Sequence, residues 1–241
     1  KYIIAFLLLV ISFLYIFLSN ETGGARVFVN LMTFAGIYGL AAIGINVHFG
    51  WTGLLNFGHA AFMGIGAYVT VLLIPHSLGR EGVVISSGLP LPLAILIGII
   101  AAALLGLLLG LPTLRLRGDY LAIVTIAAAE IFRLLVRDFE DLTGGVYGII
   151  QFSDSLQSSR PDFITRFSES HNISPAQFWV GLLTWISIIV VLLILSRLKK
   201  SPWGRALRAV REDEDAVRAL GKNAVLLKLQ SFMLGAAIGG L

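Results

Sequence analysis

Two charged side chains stand where charge is costly. Glu130 lies near the middle of an apolar run at residues 120–136, and Arg133 follows three positions later. On a helix these two share a face, with Arg137 at i+7 on the same side, so Glu130 and Arg133 are the natural ion pair. Charge at that depth in a membrane usually faces a bundle interior or a water-filled cavity. The pair therefore has two possible uses: a structural ion pair, or part of a translocation path or gate. His59 is the next residue with chemistry. It closes a polar, glycine-rich stretch at 50–59, GWTGLLNFGH. There a histidine is expected to bond a backbone carbonyl freed by a break in the helix, in preference to proton relay or metal binding. The amides of Asn46 and Asn56 can satisfy freed backbone groups in the same way.

Catalytic constellations are absent from the sequence. It has no G-x-x-x-x-G-K-[ST] phosphate loop, no H-E-x-x-H and no G-x-S-x-G. With no convergent nucleophile, base and oxyanion donors, the chain reads as a non-enzyme that binds no cofactor of its own. It has no cysteine, which excludes disulfides, zinc–thiolate sites and thiol nucleophiles.

The elements that must position these residues are membrane spans. Hydrophobic residues make up 57% of the 241 residues, charged residues only 13%, and the mean hydropathy is +0.88. A soluble domain of this length is rarely so apolar, so the expected fold class is an all-α polytopic membrane protein forming one transmembrane domain over 1–241. Spans are expected at 2–18, 27–49, 60–74, 91–111, 120–136, 178–195 and 229–241, about seven in all. A signal peptide is the alternative for 2–18, although the run is long for one and no clear cleavage site follows. The last run has 13 residues, about two-thirds of what a core of roughly 30 Å requires, and is expected to be a span cut short. The chain begins at Lys1 without Met, so its natural start is expected upstream. Residues 50–59 are too polar for mid-helix and 60–74 are short for a span, which together indicate a broken or re-entrant element. Gly98, Ala102, Gly106 and Gly110 recur every four residues, a stripe that lets helices pack closely within this subunit or, alternatively, against a second one.

Orientation comes from one segment. Residues 197–228 carry nine of the 18 Lys and Arg against four acids, a net of +5 in a chain of +4. A short basic loop between spans stays cytoplasmic, which also places the N-terminus inside. The charge thus reports topology and not nucleic-acid binding. Residues 138–177 fall outside, on the opposite side of the membrane, with six acids against two bases. Within them Phe163, Ile164 and Phe167 suggest a short amphipathic helix, able to receive a soluble partner or to act as a connector. Within the basic loop, 203–220 holds no proline and one glycine, so a helix is expected there. Ala216, Val217 and Leu220 give it a narrow apolar face, and Gly221-Lys222-Asn223 should stop it. A solvated loop lying on anionic lipid is the plainer reading.

SPWGRALRAVREDEDAVRALGKNAVLLKL, at 201–229, resembles the cytoplasmic coupling segment of bacterial ABC-importer permeases of the branched-chain amino-acid (LivH/LivM) family. Asp215-Ala216-Val217 followed by Gly221 is similar to the Glu-Ala-Ala-xxx-Gly pattern of importer permeases, with Asp in place of Glu and Val in place of Ala. GWTGLLNFGHAAFMGIGAY at 50–68 and LRLRGDYLAIVT at 114–125, then Glu130, Arg133 and LTGG, are also close to the family wording. The resemblance implies a permease subunit in a bacterial inner membrane, working with ABC ATPase subunits that use ATP and Mg, a second permease subunit and a periplasmic solute-binding protein. Arg211, Glu212, Glu214, Asp215, Ala216, Leu220 and Gly221 would meet the ATPase, and the cargo would be branched-chain or other neutral amino acids. A urea or amide branch of the family shares much of this wording. A stand-alone secondary transporter using Glu130 and His59 is the competing class, and it leaves the 203–221 helix without a task.

Overall fold

The computed structural model describes residues 24–74, 88–113, 118–149, 160–170 and 173–241. Every regular element among them is helical. The expected first span, 2–18, lies outside these residues, as does most of the 75–90 loop. Two compact units emerge, and the division falls within two long helices.

The larger unit takes in 40–155 and 190–241. Helix α1, Gly24–Asn46, enters it and continues into a wider π-helical turn, Val47–Trp51. After an extended stretch come α2, His59–Leu73, α3, Leu91–Thr113, and α4, Gly118–Asp138. A four-residue α5, Glu140–Thr143, follows, then a 3-10 turn at Gly145–Tyr147 that begins in the left-handed backbone of Gly144. The unit resumes in the second half of α7, Pro175–Lys200, then α8, Pro202–Glu212, α9, Glu214–Ala219, and α10, Ala224–Gly239.

Its core is Leu54, Phe62, Ala102, Leu121, Leu229, Phe232 and Ala236, and α10 is the helix most of the others pack on. The small-residue stripe of α3 makes this possible. Gly98 lies against Gly66 and Thr70 of α2, Gly106 against Phe232 and Ala236 of α10, and all four stripe residues are buried. The stripe serves packing inside the chain, the plainer of its two expected uses.

The smaller unit takes in the described residues of 1–39 and 156–189. Here the first part of α1 packs on the first part of α7. Trp185 Nε1 donates to the Met32 carbonyl at 3.2 Å, and a Cβ on Gly36 would lie 2.8 Å from Thr184 Cγ2. The expected amphipathic helix exists as α6, Asp162–Ser170, with Ile164 buried and Phe163 and Phe167 exposed. Helix α7 starts at Pro175, because proline suits a position whose N–H has no helical acceptor.

Among the described residues, three helices are long and apolar enough to cross a membrane: Gly24–Trp51, Leu91–Thr113 and Pro175–Lys200. His59–Leu73 and Ala224–Gly239 are apolar but shorter. Helix α4 has the length, 21 residues, but carries Glu130, Arg133 and Arg137. Seven spans are therefore not reached among the described residues.

Candidate functional site

The break after α1 is a knot of polar contacts. Where the helix opens at Val47–Trp51, carbonyls lose their usual partners and find others nearby. Ser231 of α10 donates to the Val47 carbonyl at 3.0 Å, and Thr52 donates to the His48 carbonyl at 2.7 Å. The Gly53 and Leu54 N–H groups bond Phe49 and His48 carbonyls, which folds the chain back on itself. Gly53 takes a positive φ of 71° to do so. Asn56 then spans two groups: its Nδ2 lies 3.0 Å from His48 Nδ1, and its Oδ1 accepts the Gly58 N–H at 2.9 Å. Thr125 of α4 receives the Phe57 N–H at 3.2 Å. Irregular backbone survives in an apolar setting only when it is satisfied in this manner.

His48, not His59, makes the expected bond to a carbonyl. Its Nε2 lies 2.9 Å from the Phe232 carbonyl of α10, and its ring stacks on Phe232 at 4.8 Å. His59 is 3% exposed, and neither of its ring nitrogens has a hydrogen-bond partner. The expectation for His59 is thus corrected. Its ring fills a slot left by glycines: a Cβ on Gly44 would lie 2.6 Å from its Nε2, and one on Gly239 2.8 Å. A slot lined by Cα hydrogens offers room but no acceptor. Asn46 stands apart from the knot, exposed, with its amide against Gly50.

Glu130 and Arg133 do pair, at 2.6 Å and 2.9 Å in a bidentate fork. Within this chain they face outward rather than into the bundle, with side chains 53% and 60% exposed. Glu130 is exposed and His59 is buried, so the two do not share one surface.

The basic segment is two helices, not the single one expected over 203–221. At Asp213 the backbone is extended (φ −153°, ψ 103°), and its carboxylate accepts the N–H groups of Asp215 and Ala216, both at 3.0 Å. That local capping competes with continuation of α8 and starts α9 instead. Helix α8 is begun by Ser201, which accepts the Gly204 N–H, with Pro202 at the first position. Its buried face is Gly204, Leu207 and Val210. Helix α9 ends as predicted. Gly221 has φ 74°, its N–H bonds the Arg218 carbonyl, and the Lys222 N–H bonds the Val217 carbonyl, a Schellman closure. Asn223 then caps α10 through the Leu226 N–H. Arg197, Lys199 and Lys200 form the last turn of α7, and Lys228 sits in the second turn of α10.

The segment's residues divide by direction. Val217 turns inward onto Val210 and Ala224. Glu214 bonds both Arg218, at 2.7 Å, and Lys228, tying α9 to α10. Arg211 reaches back to the break, where its Nη1 donates to the Gly50 carbonyl at 2.8 Å. Trp203 does the same with its ring, edge-on to Trp51 at 6.2 Å, while its Nε1 donates to Gln230 of α10 at 2.7 Å. Left facing outward are Glu212, Asp215, Ala216 and Leu220, the last 80% exposed. The sequence reading missed His48, Trp51, Trp203 and Lys228. Two tryptophans in otherwise glycine-rich and basic contexts were the available signal.

Residues 27–241 match the family described as branched-chain amino acid transport system, permease component. The chain is 38% identical over 223 residues to the high-affinity branched-chain amino acid transport system permease protein LivM of Salmonella typhimurium, covering 88% of this chain and 50% of that protein. To LivM of Escherichia coli K12 it is 37% identical with the same coverage. To LivH of that organism it is 26% identical over 210 residues, covering 87% of this chain and 66% of that protein. The chain spans about half the length of the two LivM proteins. No solved structure matches it.

Proposed function

This chain belongs to the branched-chain amino acid transport system permease family, and from that premise we propose that it is a membrane subunit of an ATP-driven importer. Its cargo is a branched-chain or other neutral amino acid. The chain is non-catalytic: ATP and Mg are bound by separate ABC ATPase subunits. A second permease subunit and a periplasmic solute-binding protein complete the assembly, which sits in a bacterial inner membrane with the 197–228 segment facing the cytoplasm.

One observation carries this reading. The surface formed by α8 and α9 is anchored inward by Val217 and presents Asp215, Ala216 and Leu220 outward. The same surface is joined to the break after α1 by the Arg211–Gly50 bond and the Trp203–Trp51 contact. A partner that displaces α8 and α9 between two states therefore moves the break directly. No conformational change can be driven without contacts that differ between the states, and this surface offers the place to make them. The spans would then rock about the break, exposing the solute path alternately to each side. Asn56 holds the break together, and His59 fills the slot beside it.

The test is a pull-down of the ATPase subunit with the native chain and with Ala216→Arg plus Leu220→Asp. Both positions are exposed, so folding and insertion should survive. Loss of ATPase binding and of ATP-driven uptake is expected. Unchanged binding and uptake would reject the proposal.

A further inference from the structure

Helix α8 reaches the break from one side, and α10 reaches it from the other. At the start of that second route stands a buried charge. Lys228 is the one charged residue of α10, and its side chain is only 16% exposed. A cation so placed is costly unless it is paired. Its partner is Glu214, the first residue of α9, with a side chain 28% exposed. The two carboxylate oxygens have separate tasks. Oε2 accepts from Lys228 Nζ, and Oε1 accepts from Arg218 Nη2 at 2.7 Å. Arg218 belongs to α9 itself and is 55% exposed, so the pair with Lys228 is both the more buried one and the one that joins two helices.

Helical spacing gives the pair its direction. Ser231 and Phe232 follow Lys228 by three and four residues and so share its side of α10. These two residues hold the break: Ser231 donates to the Val47 carbonyl at 3.0 Å, and the Phe232 carbonyl lies 2.9 Å from His48 Nε2. Upstream, Val217 of α9 packs on Ala224, the first residue of α10. That apolar contact has no preferred direction, and alone it lets one helix slip along the other. An ion pair that is costly to break fixes the register.

We infer that Lys228 is a positioning residue. With Glu214 it locks α9 to α10, so a displacement of α9 is carried one turn along α10 to Val47 and His48. Glu214 thereby serves the inside of this chain and lies outside the surface that the ATPase touches. The inference rests on the permease reading above, and it adds a second route to the break besides Arg211 and Trp203.

The experiment uses the whole transporter in proteoliposomes, with ATPase pull-down, ATP hydrolysis and solute uptake measured on each variant. Lys228→Met keeps the stem and removes the charge, while Glu214 keeps Arg218, so no carboxylate is stranded. Binding and hydrolysis should stay within about twofold of native, and uptake per ATP should fall roughly fivefold or more. Lys228→Arg keeps the charge and should restore about half of the native ratio. Glu214→Gln joined to Lys228→Met should be no worse than the poorer single variant, because the two residues act as one pair. Unchanged uptake per ATP in Lys228→Met would overturn the inference. So would Lys228→Arg performing no better than Lys228→Met, losses that simply add in the double variant, or loss of ATPase binding in Glu214→Gln. A merely structural pair would lower binding, hydrolysis and uptake together, which also overturns it. Native uptake that proceeds without ATP would reject the importer reading and this inference with it, whereas the variant results reject the inference alone.

Discussion

Arg211→Ala tests the connection between the α8–α9 surface and the break. In the native chain the guanidinium donates to the Gly50 carbonyl at 2.8 Å, and a Cβ on Gly53 would lie 3.4 Å from the Arg211 stem. Hydrogen bonds from charged donors contribute about 1.5–3 kcal/mol. Arg211 is exposed, so water competes for it and the low end, about 1.5 kcal/mol, applies. If the bond is made in one transport state and lost in the other, removing it lowers the bias between states by about tenfold at most. The Trp203–Trp51 contact persists, so a drop of roughly five- to tenfold is expected. The assay is proteoliposomes containing the whole transporter, with ATP hydrolysis and solute uptake measured together. Hydrolysis should stay within about twofold of native, because the outward face is untouched, while uptake per ATP falls by the stated factor. Arg211→Lys should fall between, since an ammonium can reach a carbonyl but lacks the planar fork. Two results would refute the reasoning. Unchanged uptake per ATP would mean the bond transmits nothing. Loss of ATPase binding would mean that Arg211 belongs to the partner's footprint and not to the internal link.

Three further outcomes are expected. Gly66→Val would push a side chain into the Gly240 carbonyl where α2 crosses α10, costing about 1–3 kcal/mol or more and lowering the midpoint of thermal unfolding in detergent; an unchanged midpoint would show the crossing to be looser than described. Val217→Ala removes two methyl groups from the pocket with Val210 and Ala224, about 1.5 kcal/mol at ~0.8 kcal/mol per methylene, so local opening and trypsin cleavage after Arg218 and Lys222 should rise roughly tenfold. His48→Leu strands the Asn56 amide, at a cost of about 1–3 kcal/mol, whereas His59→Leu breaks no hydrogen bond and should destabilise less; the reverse order in thermal unfolding would contradict the assignment of the carbonyl bond to His48.

Much of the architecture was legible because membrane helices announce themselves one residue at a time. Mostly apolar runs predicted the helices at 27–49, 91–111, 120–136 and 178–195, and each exists within a few residues of those bounds. The glycine-rich polar stretch at 50–59 predicted a break, since no apolar span tolerates Gly50, Gly53, Asn56 and Gly58 in sequence. Gly221 stopped its helix where it was expected to, because a left-handed closure is a local event. The family, too, was readable from continuous wording.

Direction was not legible, and for a physical reason. Charge at membrane depth usually faces a bundle interior, so Glu130 was expected to face inward when its own helix turns it outward. His48 was passed over for His59, because the Phe232 carbonyl that selects His48 lies 184 residues away. The split at Asp213 depended on a carboxylate choosing backbone N–H groups over water. The use of Arg211 and Trp203 as a bridge to Gly50 and Trp51 required α8 to fold back on the break. The sequence by itself determined which segments are helices, where one is interrupted and which family the chain joins, since these follow from local composition and wording. Only the tertiary structure decided which polar groups meet, because those pairings join residues far apart in the chain and depend on the packing of α10 against the break, α8 and α9.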